Sequence, residues 1–129
     1  MKHIWKLAWI AILTSNIAYA DGQLNIYNWS DYIAEDTIAN FEAETGISVT
    51  YDTYDSNEVL EAKMMAGSSG YDLVVPTGDF LARGREAGVY ADIDMARLSN
   101  TVNQDKRVQG LADSQMADTK AGIVYMWGT

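Results

Sequence analysis

Apolar and polar residues alternate with period two along Leu24-Asn25-Ile26-Tyr27-Asn28-Trp29, a pattern that predicts a strand. Ile33, Ala34, Ile38 and Phe41 then fall near helical spacing. Glu35 and Asp36 lie early, where a helix dipole favours acids, and Gly46 supplies a stop, so a helix is expected over 34–45. Alternation resumes at Ile47-Ser48-Val49-Thr50-Tyr51, rich in β-branched residues, and a second strand should run into Tyr54. Val59, Leu60, Met64 and Met65 give the next helix an apolar face, the methionine pair as core filler. Asp55 and Glu58 form a capping box or Ser56 caps instead, and Gly67 closes the helix. Leu73-Val74-Val75, between Gly70 and Pro76, is the continuous apolar run of a strand buried on both faces and is placed at the sheet centre. Asp79 can cap a short helix over 80–87 ended by Gly88, and Ile123-Val124-Tyr125-Met126-Trp127 reads as a fourth strand. Residues 92–120 are polar and weakly periodic, with a short helix expected around 104–112.

Strands alternating with helices imply an α/β domain with a largely parallel sheet. Ligands of such sheets collect outside the carboxyl ends of the strands. That rule nominates the loops Trp29-Ser30-Asp31-Tyr32, Asp55-Ser56-Asn57-Glu58 and Thr77-Gly78-Asp79. The chain stops at Thr129, two residues past the fourth expected strand, and reads as interrupted within a domain.

The amino-terminal residues change what must be counted. Lys2 and Lys6, the apolar run Leu7-Ala8-Trp9-Ile10-Ala11-Ile12-Leu13 and the small-x-small triplet Ala18-Tyr19-Ala20 form a secretory signal cleaved after Ala20. A membrane anchor is the rival reading, but the run is much shorter than the ~20 residues a spanning helix needs and ends at polar Thr14-Ser15-Asn16. The expected organisation is therefore a signal peptide over 1–20 and a mature unit over 21–129. With the signal removed, seven basic residues face 18 acidic ones and leave a net charge of −11. Such a chain repels nucleic acid and favours cationic ligands, although acidity also serves solubility. The single histidine, His3, lies in the signal, and cysteine is absent from the whole chain. Cysteine nucleophiles, serine–histidine triads, histidine bases, disulfides and the usual zinc or copper sites are thereby excluded. No calcium-binding loop, phosphate loop or dinucleotide fingerprint occurs, so no cofactor is implied.

The run from Leu24 through Trp29-Ser30-Asp31-Tyr32-Ile33 resembles the opening of mature putrescine- and spermidine-binding proteins of ABC import systems. The resemblance continues through Asn40-Phe41-Glu42-Ala43-Glu44-Thr45-Gly46-Ile47, Tyr54-Asp55-Ser56-Asn57-Glu58-Val59-Leu60, Tyr71-Asp72-Leu73-Val74-Val75-Pro76 and Tyr125-Met126-Trp127-Gly128. It implies a lobe of the type II periplasmic-binding-protein fold, the second lobe lying outside this chain, so that only part of the ligand cleft is present. It further implies a periplasmic monomer that binds a polyamine, putrescine foremost, and delivers it to an inner-membrane ABC permease. Trp29 matches the family's cleft tryptophan, Ser30 and Asp31 its adjacent hydroxyl and acidic positions, Tyr32 a ring used in some members, and Thr77 a serine that usually follows Val-Val-Pro. Asp79 departs from the family pattern, as does Val124, where relatives tend to carry proline.

These residue types suit a protonated alkyl diamine, which needs a sleeve for its methylenes and acceptors at each charged end. Trp29 and Tyr32 can supply the sleeve and a cation–π seat, Asp31 a charge-assisted acceptor, and Ser30 and Thr77 further acceptors. Each residue also has a structural reading. Trp29 can be a packed core ring, Ser30 or Asp31 the cap of the following helix, Thr77 a turn residue, and Asp79 either an extra ammonium contact or a cap. Two other functions compete: a cleft for another small solute, and a hydrolase whose paired carboxylates would have to be Asp31 and Asp79.

Overall fold

In the computed structural model, the described residues are 22–115 and 122–127. The export signal read from residues 1–20 lies outside them. The elements follow in the order β1 (Gly22–Trp29), α1 (Thr37–Thr45), β2 (Ile47–Tyr54), α2 (Asn57–Met65), β3 (Leu73–Val74) and α3 (Gly78–Glu86). Two 3-10 turns, Met95–Arg97 and Ser99–Asn103, lead into α4 (Lys106–Gln115). No helix among the described residues is long and apolar enough to cross a membrane.

The sheet is parallel, in the order β2-β1-β3. β1 pairs along its whole length with β2, from Gly22 opposite Ile47 to Trp29 opposite Tyr54, and with β3 through Ile26 opposite Leu73 and Tyr27 opposite Val74. Asp72 lengthens the second pairing: its N–H donates to the Asn25 carbonyl at 2.9 Å and its carboxylate accepts the Asn25 N–H at 2.8 Å. The central strand is thus β1, not the apolar run at 73–75. β3 forms only two pairs, Leu73 stays half exposed, and Pro76 brings no N–H to continue the ladder. β1 tolerates burial despite its asparagines because Asn28, 3% exposed, is satisfied: its Nδ2 donates to the Tyr51 hydroxyl at 2.9 Å and its Oδ1 accepts the Trp29 N–H at 2.8 Å.

The core is small and mostly aromatic. Tyr27, Tyr54, Leu60 and Met64 are buried, flanked by Trp29, Tyr71, Val74, Val89 and Tyr90. Leu60 and Met64 fill it from α2, whereas Val59 and Met65 stand about half exposed, so only half of the expected apolar face turns inward. Tyr27 stacks on Tyr71 with ring centroids 4.6 Å apart, and the Lys63 ammonium lies 4.8 Å above one ring and 5.0 Å above the other. Tyr71 in turn donates to Asp52 at 2.7 Å.

Element ends follow local chemistry, with some corrections. α1 begins at Thr37, later than residue 34, and ends on Gly46 at φ 72°, whose N–H donates to the Glu42 carbonyl at 2.9 Å. α2 is capped by Ser56, whose hydroxyl accepts the Val59 N–H at 3.3 Å, so the Asp55–Glu58 box does not form. α4 covers 106–115 in place of 104–112, and Asp105 accepts the N–H groups of Arg107 and Val108 at its start. Gly84 is required by close approach: a Cβ there would lie 2.3 Å from the Tyr90 ring. The fourth strand expected at 123–127 does not form. Its backbone bonds to glutamine side chains instead. The Val124 N–H donates to Gln109 Oε1 at 3.2 Å and its carbonyl accepts from Gln104 Nε2 at 3.1 Å.

Candidate functional site

Trp29 closes β1, and its indole N–H donates to the Val75 carbonyl at 2.9 Å. The Tyr54 hydroxyl at the end of β2 donates to the same carbonyl. One acceptor just past β3 therefore gathers the carboxyl ends of all three strands. The Trp29 ring also packs against Tyr54, with centroids 4.7 Å apart, so the indole is anchored from two sides. Burial pushes the Tyr54 phenol up, with Tyr90, Tyr27 and Tyr51 adding to it, which keeps it a neutral donor. Trp29 is thus both a partly buried packing ring and the floor of the strand-end surface.

The next three residues form an exposed turn. The Tyr32 N–H donates to the Ser30 carbonyl at 2.7 Å, and Asp31 between them adopts φ 30°, a region that residues other than glycine seldom enter. Neither Ser30 nor Asp31 caps α1, whose N-cap position is Asp36, so that alternative is removed. Both side chains are exposed at the sheet end, and the Tyr32 ring stands 6.0 Å from that of Trp29.

Thr77 and Asp79 lie after β3, at the start of α3. The Thr77 N–H donates to Asn57 Oδ1 at 3.1 Å, which ties the loop after β3 to the first residue of α2. Thr77 occupies the N-cap position of α3 without a capping bond; its hydroxyl donates to Asp79 Oδ1 at 2.6 Å instead. Asp79 is therefore not the cap residue but lies in the first turn. The Thr77 hydroxyl holds its carboxyl below the usual carboxylate range, helped by the N–H groups of Asp79 and Phe80 and by Arg83. A permanently ionised carboxylate results at neutral pH.

The fold thus brings Trp29, Ser30, Asp31, Tyr32, Thr77 and Asp79 to one end of the sheet, without a direct bond between the Asp31 turn and the Thr77–Asp79 pair. Depressions in the surface at Asp92–Ala96 and at Arg97–Thr101 with Gln104 and Ile123 include none of these six residues. Among the described residues no cluster of three or more acids could hold a metal ion. Sequence reasoning missed four supports of the site: Asn28, Tyr54, Asn57 and Tyr125, whose hydroxyl donates to the Tyr32 carbonyl. The inward register of Asn28 and the position of Asn57 in a nominated loop were available signals. Nothing in the spacing announced a contact between residues 93 apart.

No family model matches the chain. It is 50% identical over 122 residues to the putrescine-binding periplasmic protein PotF of Escherichia coli strain K12, covering 95% of this chain and 33% of the relative. It is 53% identical over 134 aligned positions to the putrescine-binding periplasmic protein SpuD of Pseudomonas aeruginosa strain UCBPP-PA14, covering all of this chain and 36% of the relative. The spermidine/putrescine-binding periplasmic protein of E. coli K12 is 36% identical over 119 residues. Among solved structures, the spermidine/putrescine ABC transporter protein of Listeria monocytogenes superposes with a TM-score of 0.65 at 38% identity, over 67% of this chain and 27% of its own. The TpPotD lipoprotein of Treponema pallidum gives 0.66 at 36% identity, over 70% and 29%. The chain spans about a third of the length of the curated relatives it matches.

Proposed function

We propose that this chain, homologous along its length to the putrescine- and spermidine-binding periplasmic proteins, supplies one wall of a cleft for a protonated alkyl diamine in the solute-binding component of an ABC importer. On this reading residues 1–20 direct export to the periplasm, and an inner-membrane permease receives the ligand. Putrescine is the favoured diamine, since the relatives named for it alone stand at 50% and 53% identity and the spermidine/putrescine binder at 36%.

The observation that carries the proposal is the convergence of Trp29 and Tyr54 on the Val75 carbonyl. It fixes an aromatic ring at the sheet end that also carries the exposed Asp31 carboxylate on the loop after β1 and the Thr77–Asp79 pair after β3. An ammonium over such a ring gains about 0.5–2 kcal/mol, more as water is excluded, and a carboxylate contact is about twice as strong as a neutral hydrogen bond. The fold already seats one ammonium in this manner, Lys63 over Tyr27 and Tyr71 with its Nζ 3.3 Å from the Tyr71 hydroxyl. Binding is favoured over hydrolysis by the same carboxylates. A general acid needs a carboxyl raised toward neutrality, and Asp79 is shifted the other way.

The test is an NMR titration of the chain with putrescine, using uncharged 1,4-butanediol as the control. Shifts of the Trp29 indole and of the Ser30–Tyr32 and Thr77–Asp79 amides with putrescine alone, saturating weakly as one wall should, are expected. Equal responses to both ligands would remove the ammonium from the account.

A further inference from the structure

We propose that Tyr125 is a positioning residue that holds the turn Ser30-Asp31-Tyr32 in its ligand-facing shape; the ligand in question rests on the polyamine reading above. The segment 122–127 crosses to the sheet end as an irregular strap and is fixed at three points. Gly122 lies so close to α3 that a Cβ there would come within 2.7 Å of the Leu81 side chain. Val124 has both backbone groups bonded to glutamine side chains, Gln104 after the second 3-10 turn and Gln109 in α4. The next residue, Tyr125, then donates its hydroxyl to the Tyr32 carbonyl.

The receiving end needs such a tether. One backbone bond, from the Tyr32 N–H to the Ser30 carbonyl, closes the turn, and Asp31 at its apex sits at φ 30°. A non-glycine residue there costs free energy and persists only when its surroundings over-determine it. The Tyr125 hydroxyl adds a hydrogen-bonded constraint from outside the turn. Without it, Asp31 is free to relax to negative φ, which reorients its carboxylate. The strap also approaches the other side of the same network. Tyr125 contributes to raising the Tyr51 phenol, after burial and against the bond from Asn28, and Asn28 is the residue that accepts the Trp29 N–H. Tyr125 itself is half exposed, so its hydroxyl can be removed without opening the core.

Two variants of the full chain test the proposal: Tyr125→Phe, which removes only the hydroxyl, and the double variant Gln104→Ala with Gln109→Ala, which frees the strap and keeps the tyrosine. The Tyr32 carbonyl carbon shift and the Tyr32 amide exchange rate report the turn, the thermal midpoint reports the fold, and putrescine titration reports the site. Both variants are expected to move the Tyr32 carbonyl signal and speed exchange of its amide with little change in midpoint. Putrescine binding should weaken about two- to tenfold, the loss typical of one hydrogen bond. Unchanged Tyr32 signals in Tyr125→Phe would overturn the tether, and moved signals with unchanged binding would overturn the positioning role. A wild-type chain that ignores putrescine would remove the polyamine reading, and the Tyr32 signals would then decide the tether alone.

Discussion

Two regions of this chain are built on different principles. Residues 22–75 hold all four buried apolar side chains of the core and a parallel ladder in which β1 is paired on both edges. From residue 91 onward no described residue is buried, Val102 is 81% exposed and Trp127 68% exposed, and order comes from short helical turns and side-chain bonds such as those of Gln104 and Gln109. The difference teaches where each part of the site draws its precision. Trp29 is placed by ladder and core, whereas the turn that follows it is placed by a strap from the weakly packed region.

The comparison can be broken at its strong end first. Leu60 is 1% exposed, and Leu60→Ala should lower the unfolding free energy by about 2–5 kcal/mol through lost burial and a residual cavity, read from the urea midpoint. The matching truncation in the other region, Val102→Ala, should stay within about 0.5 kcal/mol. Equal losses at the two positions would erase the distinction.

A third substitution sharpens the chemistry more than the stability. Thr77→Val removes the hydroxyl that contributes most to holding the Asp79 carboxyl low, so its midpoint should rise toward the usual carboxylate range in a carbon-detected titration. Because the folded value is depressed, the contribution of Asp79 to stability is complete above the unfolded midpoint and is lost as pH falls through the folded one. The variant should therefore be less stable than the wild type near neutrality, with the difference closing as pH falls through the folded Asp79 midpoint. An unmoved Asp79 midpoint would place the cause in the helix N–H groups or Arg83 instead.

The contrast between regions also explains what could be read from the residues alone. β1, β2 and the first two helices follow periodicity and glycine stops, because there the backbone satisfies itself and side chains only choose a face. The centre of the sheet was misplaced because Leu73-Val74-Val75 looks more buried than a strand carrying Asn25 and Asn28. Pairing of Asn28 with Tyr51 and Trp29 reverses that ranking. The strand expected at 123–127 failed for a related reason. Its apolar run carries the right propensity, but the partners of Val124 are glutamine side chains 15 and 20 residues earlier, and no local pattern encodes them. For the candidate site, the strand-end rule and the family resemblance nominated six residues, which the fold places at one end of the sheet. The shared acceptor at Val75, the Asn57 tie and the Tyr125 tether required three-dimensional proximity.

The most direct test of the account is the putrescine titration repeated on Asp31→Asn, which keeps the side-chain volume and the turn-compatible residue type while removing the charge. The account predicts that the Trp29 indole and Thr77–Asp79 signals of the wild type respond to putrescine and that the response weakens about tenfold in the variant, the scale of a lost charge-assisted contact. Identical titrations of the two proteins would contradict a diamine site built on this end of the sheet.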